Sequence, residues 1–133
     1  MTMSSNSEII TRMVGLLYPF IIVFGIYVIV NGHLTPGGGF QGGAIIASVF
    51  ISRYIAFPAD DFRIESLQLI EKILFICIIL FPILVLFQQW YVNDYLHNYI
   101  NLIYLISMNI FIGLKVSCGL TIIFLRFIFH EGR

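Results

Sequence analysis

Four apolar runs, each long or nearly long enough to cross a bilayer, restrict this chain more than any other feature. A membrane-spanning helix takes about 20 mainly apolar residues. The stretch from Met13 to Val30 carries no charge at all. In hydrocarbon every backbone N–H and C=O must be bonded within the chain, so runs of this kind become helices. The expected helices cover about 9–31, 41–57, 67–87 and 100–129. Only 11% of the 133 residues are charged and the mean hydropathy is +0.98. Soluble domains carry about a quarter charged residues, so this chain lacks the polar surface to cover a globule in water. The expected fold is therefore all-α: one integral membrane domain over residues 1–133 with four transmembrane helices.

The first two runs are separated by Gly32-His33-Leu34-Thr35-Pro36-Gly37-Gly38-Gly39-Phe40-Gln41-Gly42-Gly43, which holds six of the eleven glycines. Pro36 fixes its own φ and biases Thr35 towards extended geometry. A helix cannot run through Pro36-Gly37-Gly38-Gly39, so a sharp reversal is expected there. The small surface of Gly42 and Gly43 favours close helix contact in a membrane. The second apolar run is short for a full span, which would let the glycine stretch dip into the membrane where other protein covers it.

The flanks set the expected orientation. Arg12, Arg53, Arg63, Lys72, Arg126 and Arg133 lie at the amino end, in or beside the middle loop, or at the carboxyl end. The other two loops contain no lysine or arginine, only His33, His97 and Asp94. Positive charge is retained in the cytoplasm, so both termini are expected there. Residues 1–8 read as a frayed polar segment, and Met13–Val30 as an anchor rather than a cleaved signal. Pro58 to Ser66 reads as a charged loop. Trp90, Tyr91, Tyr95 and Tyr99 suit a headgroup belt. Pro19 and Pro82 fall inside expected helices, which lipid tolerates when neighbours satisfy the freed carbonyls.

Few residues carry chemistry. Gly37, Gly39 and Gly42 form a literal G-x-G-x-x-G, but a dinucleotide site needs a preceding strand and a soluble βαβ unit. Here an apolar helix precedes it, so Pro36, Gly37, Gly38, Gly39, Gly42 and Gly43 read as a structural turn. His33 and Gln41 are secondary polar candidates beside it. Lys115 is the sharper candidate, lying midway along the last run. A lysine at the bilayer centre costs on the order of 3 kcal/mol, and it lies too deep to snorkel easily. It belongs either to a proton or cation path or to a static contact with an acid on another subunit. Asn109, six residues earlier, falls on nearly the opposite face of an ideal helix. Gly113 and Ser117 form a small-xxx-small pair suited to helix packing.

Asp60, Asp61, Glu65 and Glu71 read as a solvated face balancing Arg63 and Lys72, or as a contact with another subunit. His97 and His130 read as surface residues. Cys77 and Cys118 lie inside apolar runs without ligand-like spacing, so neither a disulfide nor a metal site is expected. No catalytic set is present, no cofactor is expected, and a net charge of zero gives no footprint for nucleic acid.

The stretch Gly32 to Gly43, above all Pro36-Gly37-Gly38-Gly39-Phe40-Gln41-Gly42-Gly43, resembles the B-type component of the multi-subunit Mrp-type Na+/H+ antiporters. A second similar patch is Asn109-Ile110-Phe111-Ile112-Gly113-Leu114-Lys115-Val116-Ser117-Cys118-Gly119-Leu120. Length and four-span layout agree over the whole chain. The resemblance implies a subunit that does not work alone and is no enzyme by itself. It would sit in the plasma membrane of a prokaryote beside antiporter-like subunits whose proton channels are related to those of respiratory complex I. The same module occurs in membrane-bound hydrogenases and related ferredoxin-linked complexes. The residues Thr35 to Gly43 and Gly113 to Val116 resemble that redox-linked group more closely, which implies redox subunits as further partners. In stand-alone antiporters an acid often stands near the position of Asn109, and here it is Asn. That departure leaves Lys115 as the deep ionisable group, in a path or in a spacer.

Overall fold

The computed structural model describes residues 2–57, 63–91 and 97–131. Four helices occupy them: α1 (Thr2–Val30), α2 (Gly38–Ala56), α3 (Ile64–Tyr91) and α4 (His97–Glu131). Among the described residues there is no strand. Each helix lies where the apolar runs place it, but the boundaries differ. α1 begins at Thr2 rather than near residue 9, so the polar segment expected to fray is helical from its second residue. α3 runs on through Gln88–Tyr91, and α4 extends beyond its apolar part at both ends. The polar flanks contain neither proline nor glycine at these points, so nothing stops the backbone ladder where the apolar residues stop. Pro58 to Phe62, with Asp60 and Asp61, lie outside the described residues, as do Asp94, Tyr95 and Arg133.

Three helices contain stretches long and apolar enough to cross a membrane: Ser7–Val30, Ile64–Tyr91 and Asn98–His130. α2 has 19 residues and is the shortest. It lies between α1 and α4 along its whole length. Against α1 it runs antiparallel. The Thr11 hydroxyl approaches the Ala56 carbonyl at 3.5 Å near one end, Gly25 meets Gly42 and Ile46 midway, and Gly32 meets Gly38 at the other end. Against α4 it runs parallel, from Gly39 beside Asn109 to Tyr54, whose ring lies 6.4 Å from that of Phe129. α3 returns antiparallel to α4, with Phe81 5.7 Å from the rings of both Tyr104 and Phe111.

The helices therefore stand in the order α3, α4, α2, α1. α3 packs on α4 alone among the described elements. The buried core, Ile29, Ala47, Val49, Ile122 and Leu125 with Ser117 and Thr121, belongs to α1, α2 and α4. No residue of α3 is buried. A lipid-facing chain has no reason to hide apolar side chains, because lipid tails are as apolar as they are.

This order gathers the basic residues at one end. The start of α1, the end of α2, the start of α3 and the end of α4 come together there, carrying Arg12, Arg53, Arg63 and Arg126. A cavity lined by Ile64, Arg126, Phe129 and His130 marks the same end. At the opposite end Gly32 and Gly38, which flank the turn, lie beside Asn109. The twelve residues from His97 to Asn109 amount to about 18 Å of helix, so α4 continues past the level of Gly32 and Gly38 by roughly that length.

Candidate functional site

The turn is closed by α1 itself before glycine takes over. Asn31 O accepts hydrogen bonds from Leu34 N at 2.9 Å, Thr35 N at 3.0 Å and the Thr35 hydroxyl at 3.0 Å. His33 Nδ1 lies 3.2 Å from the Val30 carbonyl and faces the same helix end. Pro36 is exposed. The reversal falls on Gly37 (φ 139°, ψ −60°) and Gly38 (φ 60°), the two positive φ angles among the described residues. A side chain at Gly37 would be strained whatever space surrounds it. α2 starts at Gly38, three residues earlier than the apolar pattern suggests, because the change of direction needs only this pair. Gln41 folds back against Gly37, its Oε1 2.6 Å from where a Cβ would stand there.

α4 covers the turn. The Asn109 carboxamide lies against both Gly32 and Gly38: a Cβ on Gly32 would be 3.0 Å from Asn109 Nδ2, and one on Gly38 would be 3.4 Å from Oδ1. The two ends of the turn are thus covered by a polar side chain of the same chain. Sequence reading missed this contact. The signal available was one deep amide in a helix that also carries small residues.

Below the turn, the glycines of α2 face two ways. Gly39 and Gly43 point at α4, where an added Cβ would meet Asn109 O at 2.5 Å from Gly39, and Val116 Cβ at 2.9 Å and the Gly113 carbonyl from Gly43. Gly42 points at α1, where a Cβ would strike Ile29 and stand 2.9 Å from Gly25 O. Gly113 in turn receives Ile29, whose Cδ1 would lie 2.6 Å from a Cβ there. Ser117, one turn on, is 3% exposed, and its carbonyl accepts a 2.7 Å bond from the Thr121 hydroxyl. The small residues bring three backbones close together. Van der Waals packing, the main attraction between helices in lipid, is then strongest here.

Lys115 does not join this cluster. It lies on the other side of α4, part-buried against α3, with Nζ 4.2 Å from the centre of the Phe75 ring. No carboxylate lies within ion-pair distance of it among the described residues. A cation over an aromatic face gains about 0.5–1 kcal/mol when exposed and about 2 when desolvated. That offsets only part of the cost of holding a lysine at this depth. Asn109 and Lys115 thus face different helices, the first the turn and the second α3. Glu71 also departs from the expected solvated face: it is part-buried, whereas Glu65 and Lys72 are exposed.

At the basic end, Arg53 lies over the Tyr18 ring at 5.7 Å and 3.5 Å from its hydroxyl. Cys77 and Cys118 are free and part-buried. Among the described residues no group of three metal-ligating side chains occurs. The His97 side chain lies outside the described residues, and His130 lines the basic-end cavity.

The sequence profile of a family described as "Domain related to MnhB subunit of Na+/H+ antiporter" matches residues 9–122. Proteins named "Putative antiporter subunit mnhB2" from Staphylococcus aureus strains Newman and COL are each 42% identical over 72 residues, covering 53% of this chain and 50% of their own length. The matched stretch thus spans about half the length of these curated relatives. No solved structure matches the chain.

Proposed function

From its membership of the MnhB-related family, to which a match over residues 9–122 assigns this chain, we propose that it is a membrane subunit of a multi-subunit Na+/H+ antiporter and lends Lys115 to the ion or proton path. One observation carries the second half of this reading. Lys115 sits midway along a 35-residue membrane helix with the Phe75 ring against its ammonium and, among the described residues, no carboxylate within ion-pair distance. An ionisable group at that depth is costly to hold, and intramembrane ionisable groups commonly mark ion paths.

The partners are the other subunits of the antiporter module, in an obligate hetero-oligomer. The outer faces of α1 and α3, apolar and unburied, leave room for them or for lipid. Resemblance of Thr35 to Gly43 and Gly113 to Val116 to the redox-linked group favours a hydrogenase-like, ferredoxin-linked complex. The curated relatives are named as antiporter subunits, which supports the antiporter role in either setting. In both settings the start of α1 and the end of α4 lie at the basic end, on the cytoplasmic side of the cell membrane.

The test is Lys115→Met in the complete complex, with Na+/H+ antiport followed in everted vesicles and assembly followed by native electrophoresis. Antiport is lost while assembly persists. Antiport at the wild-type rate, or loss of assembly, would make Lys115 a structural counter-charge and the chain a spacer between its neighbours.

A further inference from the structure

We propose that Glu71 is the counter-charge of Lys115, and that the ammonium has two seats in the α3–α4 interface: the Phe75 ring and the Glu71 carboxylate.

The part-buried residues of α3 include Leu67, Glu71, Leu74, Ile78 and Phe81, spaced by three or four. That spacing is one helix face, and Phe81 fixes which one, since it packs on Tyr104 and Phe111 of α4. Glu71 therefore faces α4. It precedes Phe75 by four residues, a separation that puts side chains next to each other at about 6 Å between Cβ atoms. Phe75 already holds the Lys115 ammonium. On the facing helix, Cys118 is one turn from Lys115, and the Glu71 carboxylate lies within electrostatic reach of that thiol. The two helices run antiparallel, so a step from Phe75 to Glu71 on α3 matches a step from Lys115 to Cys118 on α4.

A lysine side chain that rests on a ring one turn from a carboxylate can reach it by rotating its own χ angles. Among the described residues the neighbouring groups leave it no competing acid. Glu71 and Cys77 come from α3 and Cys118 from α4. Lys72 is exposed, and α1 and α2 pack elsewhere on α4. Among the described elements α3 is held by α4 alone, and none of its residues is buried, so small adjustments of this interface disturb no contact with α1 or α2. A cation or proton arriving at Glu71 would displace the ammonium to Phe75, and its departure would bring the ammonium back. The pairing stands on this geometry; its part in transport rests on the ion-path reading above.

The experiment is a double-mutant cycle in the assembled complex: Glu71→Gln, Lys115→Met and the two together, read by thermal unfolding of the purified complex and by antiport. With the pair, each single substitution lowers the melting temperature, and the double variant loses no more than the larger single loss. Additive losses would overturn the pairing. The two readouts separate the claims. Coupling with unchanged antiport keeps the pair and removes it from the ion path, whereas additive losses with antiport abolished by Lys115→Met do the reverse. Should the single variants fail to assemble, Glu71→Cys with Lys115→Cys, in a Cys77→Ala and Cys118→Ala background, replaces the cycle. A short bis-methanethiosulfonate reagent applied to membranes, each thiolate displacing methanesulfinate, then links the α3 and α4 peptides through subsequent proteolysis. No linkage would overturn the proposal.

Discussion

Replacing Gly43 by alanine puts one methyl group into the tightest part of the α2–α4 interface. The added Cβ would stand 2.9 Å from Val116 Cβ and 3.1 Å from Gly113 Cα, and closer still to the Gly113 carbonyl, against an ordinary contact of 3.4 Å or more. The nearest obstacles include backbone, so the helices must part by at least about 0.5 Å, which forfeits roughly a quarter of the dispersion well of each contact pair across the seam. α2 cannot simply retreat towards α1, because Gly42 already lies against Gly25 and Ile29 there. Overpacking of this kind costs about 1–3 kcal/mol, and the better helix propensity of alanine returns up to about 1. The net expectation for Gly43→Ala is about 1–2 kcal/mol of destabilisation. Gly119→Ala, also in a helix but with nothing within 4 Å of its Cβ position, is the control and should be neutral or slightly stabilising. The assay is the melting temperature of the detergent-solubilised protein, with both variants purified in parallel. Gly43→Ala melting with or above Gly119→Ala would refute the interlocked-glycine reasoning.

Gly37→Ala should cost about 1–3 kcal/mol, because its φ of 139° is closed to a side chain. The same melting assay reads it, and since Gln41 Oε1 is a movable obstacle, Gln41→Ala should not rescue the loss. Asn109→Leu, larger and pressed against Gly32 and Gly38, should cost about 1–3 kcal/mol. Protease sensitivity of the 31–37 turn should rise with it. Arg53→Ala should change stability by less than about 1 kcal/mol, read in the same melts, since its contacts with Tyr18 are exposed.

Hydropathy located all four helices because each apolar run is bounded by Gly-Pro, charge or a polar aromatic segment. It could not locate their ends: Ser4 to Ser7 and Gln88 to Gln89 carry polar side chains but no backbone breaker. Pro36 and the glycines after it made the reversal legible, though not that two of them suffice. Helix order was hidden for a physical reason. In lipid both faces of a helix are apolar, so the periodicity that tells inside from outside in a soluble protein is weak. Gly39, Gly42 and Gly43 signalled close contact without saying that the first and third meet α4 and the second meets α1. Lys115 was legible as a deep charge. Its seat on Phe75 was not, because a phenylalanine in an apolar run carries no mark of the helix it will face.

Membership of a multi-subunit antiporter is tested most directly by a pull-down of this chain from its native membrane in mild detergent, with co-purifying subunits identified by mass spectrometry. The chain should be recovered with antiporter-type membrane subunits, and with iron–sulfur and other redox subunits if the complex is ferredoxin-linked. Recovery of this chain alone, under conditions that keep other membrane complexes intact, would contradict that membership.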